Sequence, residues 1–502
     1  AELQLGFFGG DSDNFTYPRY DLDFSFLRAY DRTGKPLSTP NYYTWSKQGV
    51  SENDVVFVIG NPGPTTRMNA VAQLEFIRDV QLPAQLQVLQ SRWDALNAAW
   101  HANPRAPNAA AIRNQMFGIS NTLKASTGRL AALNDAVIMA RRRDAERQFV
   151  AALNARPELQ AKYGDVLTHL ADVQQRKRQW AGMYGAALTY GSANATPAVL
   201  RRAIVAAQGL AAHRRGAPAD SLNAIREQLL AIGNNPDAVE RGFLAAQLSQ
   251  WAAHLPANDS VLRIALAGRS PLEAANALLA ASTFADSARL AAAVAGNTLT
   301  LDDPAIRIVS AFDVRATPFH EAWSALVDEE AEWNSRLGRA RFEVYGTDVP
   351  PDATSSPRIT DGVVKPYEYN GTIAPIYTTF FGMYDRFYGH GNGSGNANER
   401  GAEWDLPRRW VPKPKDLDLG TPLDFISTAD TYGGNSGSPA VTKNLQIVGL
   451  NFDRNINGLS RDYVYLPERG RNIMVDVRAI AEALRHVYHA DRILNEVMTG
   501  RM

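Results

Sequence analysis

The segment Gly433-Gly434-Asn435-Ser436-Gly437-Ser438-Pro439 is the one stretch of this sequence whose residue types suit covalent chemistry. Glycines on both sides of a serine let the backbone turn sharply, expose the hydroxyl and aim amide N–H groups at an oxygen that develops negative charge. Ser436 is therefore the candidate nucleophile of an acyl transfer, and the amides of Gly434 and Ser436 are the natural oxyanion donors. A lone Gly-x-Ser-Gly is more often an ordinary hairpin turn. Here an apolar run, Ile447 to Phe452, begins about ten residues later, placed to pass the serine as a strand and form one wall of a pocket.

A serine nucleophile needs a base, and the base needs an acid that fixes its tautomer. Eight histidines are present: His101, His169, His213, His254, His320, His390, His486 and His489. The first five fall in a helical stretch and the last two on a terminal helix, where packing or surface roles are the ordinary ones. His390, in Tyr388-Gly-His-Gly, is a loop residue and a weak stand-in.

The elements that must position these groups follow from texture. Residues 1 to 75 mix aromatics, turns and short apolar runs, with Asp54-Val-Val-Phe-Val-Ile-Gly60 as the clearest buried strand. Gly60 to Arg67 looks superficially like a phosphate loop but lacks the Gly-Lys-Ser/Thr ending, and reads as a turn after that strand. From residue 76 the pattern becomes helical: Leu82, Leu86, Leu89, Trp93, Leu96 and Trp100 recur at helical spacing. Alanine-rich sequence continues to about 345, broken at Asn103-Pro104, Gly216-Ala-Pro218, Asn235-Pro236 and Ser270-Pro271, which predicts some eight to ten helices. From 346 to 502 short β-type runs return, including Gln446 to Phe452 and Asp462 to Leu466, before a closing helix from Val477 to Val497.

The bulk numbers bound the partners. Among 502 residues, 45% are hydrophobic and 21% charged, and 52 basic against 52 acidic residues give no net charge. No strong field points to nucleic acid or an anionic membrane. No apolar run is long enough for a spanning helix. The absence of cysteine excludes disulfides and thiol catalysis, and no clustered ligand set suggests a metal or another cofactor. Ala1 to Gly10 has no signal-peptide pattern and runs at once into interior-like sequence, as after truncation or processing.

Phe8-Gly-Gly-Asp-Ser-Asp-Asn14, Pro18-Arg19, Asp23-Phe24, Gly434-Asn-Ser-Gly-Ser-Pro439 and Asn451-Phe-Asp-Arg454 together resemble the bacterial serine dipeptidyl-peptidases 7 and 11. The likeness runs through the whole chain, specific at both ends and weak in the Ala-rich middle. It implies an α+β protein: a chymotrypsin-like double β-barrel, the first barrel incomplete, with a large inserted all-α cap. Residues 1–75 would then hold the remaining first barrel, 76–345 the cap, and 346–502 the second barrel with the nucleophile. It also implies an exopeptidase that releases N-terminal dipeptides from oligopeptides, working in the periplasm as a homodimer.

The resemblance assigns roles. Register on Asp13-Asn14 makes Asp23 the triad acid, with Asp21 as the alternative; a carboxylate directly before Phe24 is expected to be buried. Asn14, Phe15 and Asp453 would hold the substrate's α-ammonium, with Asn121 as a fourth member from the helical stretch. The family usually has tryptophan where Phe15 stands, so the ring face is kept and an indole donor is lost. Arg454 would pair bidentately with a substrate Asp or Glu side chain, the feature of dipeptidyl-peptidase 11. None of the eight histidines occupies the family's base motif, so that histidine is expected upstream of Ala1. Without it the chain is expected to retain only the roughly 10³- to 10⁴-fold catalysis over water that an oxyanion hole and binding supply. Two other readings are a dipeptidyl-peptidase that prefers hydrophobic residues and a non-catalytic peptide-binding homologue.

Overall fold

The computed structural model describes residues 2–296, 298–391, 393 and 402–500. They fall into two compact units, one of residues up to 68 together with those from 350, the other of residues 69–349. The architecture is a helix-rich α+β one, with a mainly antiparallel sheet in the first unit.

The sheet runs Arg358–Val363, Val55–Gly60, Pro439–Val441, Gln446–Arg454, Asn472–Asp476, Pro422–Ser427 and Tyr377–Thr379, in that spatial order. Thr44–Trp45 adds a short parallel pairing to Gln446 and Ile447. Alternation decides which face is inside. Val56 and Val58 are buried while Val55 is exposed, and they join Val50, Val364, Phe425, Ala440, Val448 and Met474 in one core. Thr428, just past Pro422–Ser427, donates its amide to Val363 O at 3.0 Å and accepts Val363 N–H at 2.9 Å. The two flanks of the sheet therefore meet there. Gly362 makes this approach possible, because a Cβ would lie 2.2 Å from the amide nitrogen of Ala429.

Residues 5–24 carry no strand. Leu5, Phe8, Leu22 and Phe24 instead pack on Phe380, Trp410, Val475, Ile480 and Leu484, a second core between the sheet and its helices. The expected closing helix is two helices, Val477–His486 and Asp491–Thr499. His489 between them has φ +49°, a left-handed residue in the turn that separates the two helices. The β-type run at Asp462–Leu466 forms no strand. The preceding Ile456–Asp462 is a 3₁₀ turn, and Asn472–Asp476 already has Gln446–Arg454 and Pro422–Ser427 as its two neighbours. The aromatic pattern there reflects anchoring instead, with Tyr463 buried and Tyr465 Oη donating to Thr428 O at 2.8 Å.

The second unit contains fourteen α-helices among the described residues, more than the eight to ten that the breakers indicate. Short helices such as Val71–Phe76, Pro157–Tyr163 and Ser260–Leu266 merge into the same Ala-rich texture, so sequence does not separate them. Proline breaks do mark boundaries: helices begin at Ala219, Asp237 and Pro271. Ser270 and Glu273 close a capping box at the last of these. Of the predicted face on Leu82–Ala102, Leu82 and Leu96 are buried with Val88 and Arg92, while Leu86, Leu89, Trp93 and Trp100 flank them half-buried. The core centres on Trp251 and Phe312, stacked with ring centroids 4.7 Å apart.

Candidate active site

Ser436 is exposed on a loop whose shape depends on glycine. Gly434 has φ +100° and Gly437 φ +81°, conformations that side chains disfavour. A Cβ on Gly434 would also lie 2.6 Å from Asn61 O, and one on Gly60 would lie 2.0 Å from Ser438 Oγ. The loop is thus pressed against the turn that follows Val55–Gly60, and Gly63 N–H donates to Gly433 O at 2.7 Å.

Beneath the loop runs a buried ladder of neutral groups. Asn435 accepts Tyr432 N–H at 3.0 Å, and Asn451 Nδ2 donates to Asn435 O at 3.3 Å. Asn472 Nδ2 donates to Asn451 Oδ1 at 2.9 Å, and Ser427 Oγ donates to Asn472 Oδ1 at 2.7 Å. Each amide fills one partner's need, as buried polar groups must. The amides of Asn435, Gly437 and Ser438 are spent inside the protein, on Tyr432 O, Asn451 O and Asn435 O. Those of Gly434 and Ser436 have no partner among the described residues. Two open N–H groups beside an exposed hydroxyl form a constellation that can stabilise an oxyanion. Ser436 Oγ itself makes a single long contact, 3.4 Å to Phe452 O.

Asp453 and Arg454 end the strand Gln446–Arg454, which leaves the loop's own strand as its neighbour. Asp453 accepts Arg454 N–H on Oδ1 at 2.7 Å, and Phe15 N–H on Oδ2 at 3.1 Å. Phe15 is buried at φ +59°, a left-handed conformation for an aromatic residue, which costs roughly 1–3 kcal/mol. Asn14, also buried, precedes it as the cap of the short helix Gly10–Asp13. The structure thus brings Asn14, Phe15, Asp453 and Arg454 into one region. Arg454 is buried, opposite Asn472 in the sheet.

Asp23 is exposed, contrary to the expectation of burial, because Leu22 and Phe24 on either side point into the core and turn it outward. Its carboxylate oxygen faces Gly6, where a Cβ would lie 3.2 Å away, and the desolvation on that side raises its pKa. Asp21 is the buried carboxylate. Burial pushes it up to about 7 despite Arg19, whose Nε and Nη2 bond its Oδ2 at 3.0 and 2.8 Å. Asn121 is exposed on the helix Ala109–Asn134 of the other unit.

Among the described residues, no histidine bonds Ser436 or Asp23. His390 approaches Arg386 and Trp404, His486 lies 3.8 Å from Glu482, and His489 contacts Arg485 O.

Two groups escaped the sequence reading. Arg19, visible only as half of a Pro-Arg pair, joins Asp453 to Asp21. Asp430, six residues before Ser436, is held by Arg67 through two bonds of 2.7 and 2.9 Å and by Tyr432 Oη at 3.0 Å. The guanidinium of Arg67 also lies over the Tyr432 ring, 4.8 Å from its centroid. Only its distance from Ser436 in the sequence could have flagged that aspartate.

A glycine-framed serine with two open amides, beside a strand that presents a carboxylate and a guanidinium, defines a site of the serine-peptidase class. The chain belongs to the peptidase S46 family, whose model matches residues 2–499. It is 27% identical to an Asp/Glu-specific dipeptidyl-peptidase of Shewanella putrefaciens over 98% of this chain and 72% of that protein. It is 26% identical to dipeptidyl-peptidase 7 of Capnocytophaga gingivalis, over 98% of this chain and 71% of that one. In fold it is similar to Porphyromonas endodontalis DPP11 in complex with the dipeptide Arg-Glu, with a TM-score of 0.79 at 20% identity, covering 98% and 73% of the two chains. No described helix is long and apolar enough to cross a membrane.

Proposed function

We propose that this protein is a serine dipeptidyl-peptidase that releases N-terminal dipeptides from oligopeptides and prefers Asp or Glu before the scissile bond. The observation that carries the chemistry is the pair of open amides at Gly434 and Ser436 beside the exposed Ser436 hydroxyl. Ser436 Oγ attacks the substrate carbonyl, the two N–H groups receive the oxyanion, and an acyl-enzyme forms that water then hydrolyses. Asp23 serves as the acid that orients the base.

Asn14, Phe15 and Asp453 hold the free α-ammonium, and Arg454 pairs with the acidic side chain. The preference for Asp and Glu agrees with the names of several relatives. The base is a histidine from residues outside these 502, as the family likeness implies, since none among the described residues bonds Ser436. The double-barrel arrangement, a homodimer and a periplasmic site of action rest on the family likeness.

The test is to assay the 502-residue chain, and a longer form carrying the relatives' additional segment, on fluorogenic dipeptides ending in Asp, Glu, Leu or Arg. Turnover of the Asp and Glu substrates by the longer form alone is expected. Equal turnover by the 502-residue chain would refute the assignment of the base, and preference for Leu would favour the hydrophobic-specific reading.

A further inference from the structure

We propose that Arg19 is the positioning residue for recognition of the substrate's amino group, acting through Asp453 and balanced by Asp21. This rests on the role given above to Asp453. An acceptor for an ammonium must be fixed in place and must retain negative charge. Asp453 is fixed by three donors: Arg454 N–H on Oδ1, and Phe15 N–H and Arg19 Nη1 on Oδ2, the last at 2.7 Å.

Arg19 is itself only 3% exposed and completes its bonds inward, to Asp21 Oδ2 through Nε and Nη2, and to Asp13 O through Nη1 at 2.6 Å. Its side of the chain is tied to the sheet, since Asp21 N–H donates to Asp424 Oδ2 at 2.9 Å. The order is strand Pro422–Ser427, Asp21, Arg19, Asp453, and then the left-handed Phe15.

The charge count explains why two carboxylates are present. Asp453 paired with Arg19 alone would be a neutral couple with little attraction for an ammonium. When ionised, Asp21 offsets the guanidinium from behind, which leaves the charge of Asp453 uncancelled towards the substrate's amino group. A planar fork with five donors reaches all of these acceptors at once, which the point charge of a lysine cannot do.

The experiment is calorimetric binding of Leu-Asp and of N-acetyl-Leu-Asp to the 502-residue chain, which needs no base. Wild type is expected to bind the free dipeptide about ten- to a hundredfold more tightly than the acetylated one, the size of one charge-assisted hydrogen bond. Arg19→Gln should bring that ratio close to one while the acetylated dipeptide binds as before. A general structural role would weaken both ligands together.

If Arg19→Gln keeps the wild-type ratio, the inference is overturned and the reading of Asp453 stands. If wild type fails to discriminate, the reading of Asp453 falls and the inference falls with it. Should Arg19→Gln not fold, Arg19→Lys and Asp21→Asn, checked by circular dichroism, carry the test. Each should lower the ratio several-fold, and an unchanged ratio in both would refute the proposal.

Discussion

The loop of Ser436 and the region around Arg19 sit in the same unit, yet they are built from opposite materials. Under Ser436 the framework is neutral: Asn435, Asn451, Asn472 and Ser427 pass hydrogen bonds along a buried ladder without a charge. Around Phe15 the framework is ionic, with Asp21, Asp424 and Arg19 all but removed from water. A neutral ladder holds its geometry at any pH that leaves the fold intact. An ionic one ties position to protonation and is severely weakened when one partner is lost. A nucleophile loop with two open amides is served by the first arrangement. The acceptor for a cation proposed at Asp453 needs the second.

Four measurements would break or sharpen this contrast. The largest effect belongs to the loop: Gly434→Ala forces a side chain at φ +100° into Asn61 O. In a form of the protein that includes the base, kcat should fall by about 10²- to 10³-fold with KM little changed, the cost of one oxyanion donor. A wild-type kcat would remove Gly434 from the oxyanion site.

Arg454→Gly comes next. It should lower kcat/KM for substrates ending in Asp or Glu by roughly ten- to a hundredfold while sparing Leu, as one charge-assisted pair predicts. Parallel losses on all substrates would make Arg454 a structural residue.

Asn472→Leu interrupts the neutral ladder, leaving Asn451 Oδ1 and Ser427 Oγ without their partner. Denaturant titration should show a loss of about 1–3 kcal/mol that is the same at pH 5 and pH 8. A pH-dependent loss would contradict the description of that ladder as neutral.

The last measurement tests the ionic side. Asp424 is fully buried, and burial raises its carboxyl well above the usual range, with Asp21 adding to the shift. An acid raised in the folded state keeps its proton longer there than in the unfolded chain. Stability therefore falls as pH rises from about 4 towards the folded value, by at most about 1.4 kcal/mol per pH unit for one proton. Asp21 contributes a similar fall that ends near 7. Asp424→Asn should flatten the decline, and an unchanged slope would show that Asp424 is ionised in the fold throughout.

Much of the site was legible because it is local. Gly433 to Pro439 announces its own geometry, and Asn451 to Arg454 lies on a strand whose apolar alternation is plain. The Arg19 cluster was not legible, because its partners come from positions 13, 21, 424 and 453, and only folding brings them together. Phe24 beside it suggests a buried Asp23, but in an extended segment adjacent side chains point to opposite sides. Asp462 to Leu466 has the composition of a strand and no vacant neighbour in the sheet to pair with. Composition reports what a segment is able to do, whereas pairing depends on what the other strands have already taken.

The antiparallel pairing of Val55–Gly60 with Arg358–Val363 places Gly60 directly opposite Arg358. Topologically this is a hairpin whose connection is everything from residue 61 to residue 357. Closing so long a connection costs only about 0.6 kcal/mol for each doubling of its length, provided that its ends return to neighbouring positions. The helical unit therefore occupies a place where length is cheap: helices gained or lost within it over evolution would leave the strand register, and the serine loop that leans on it, unaltered.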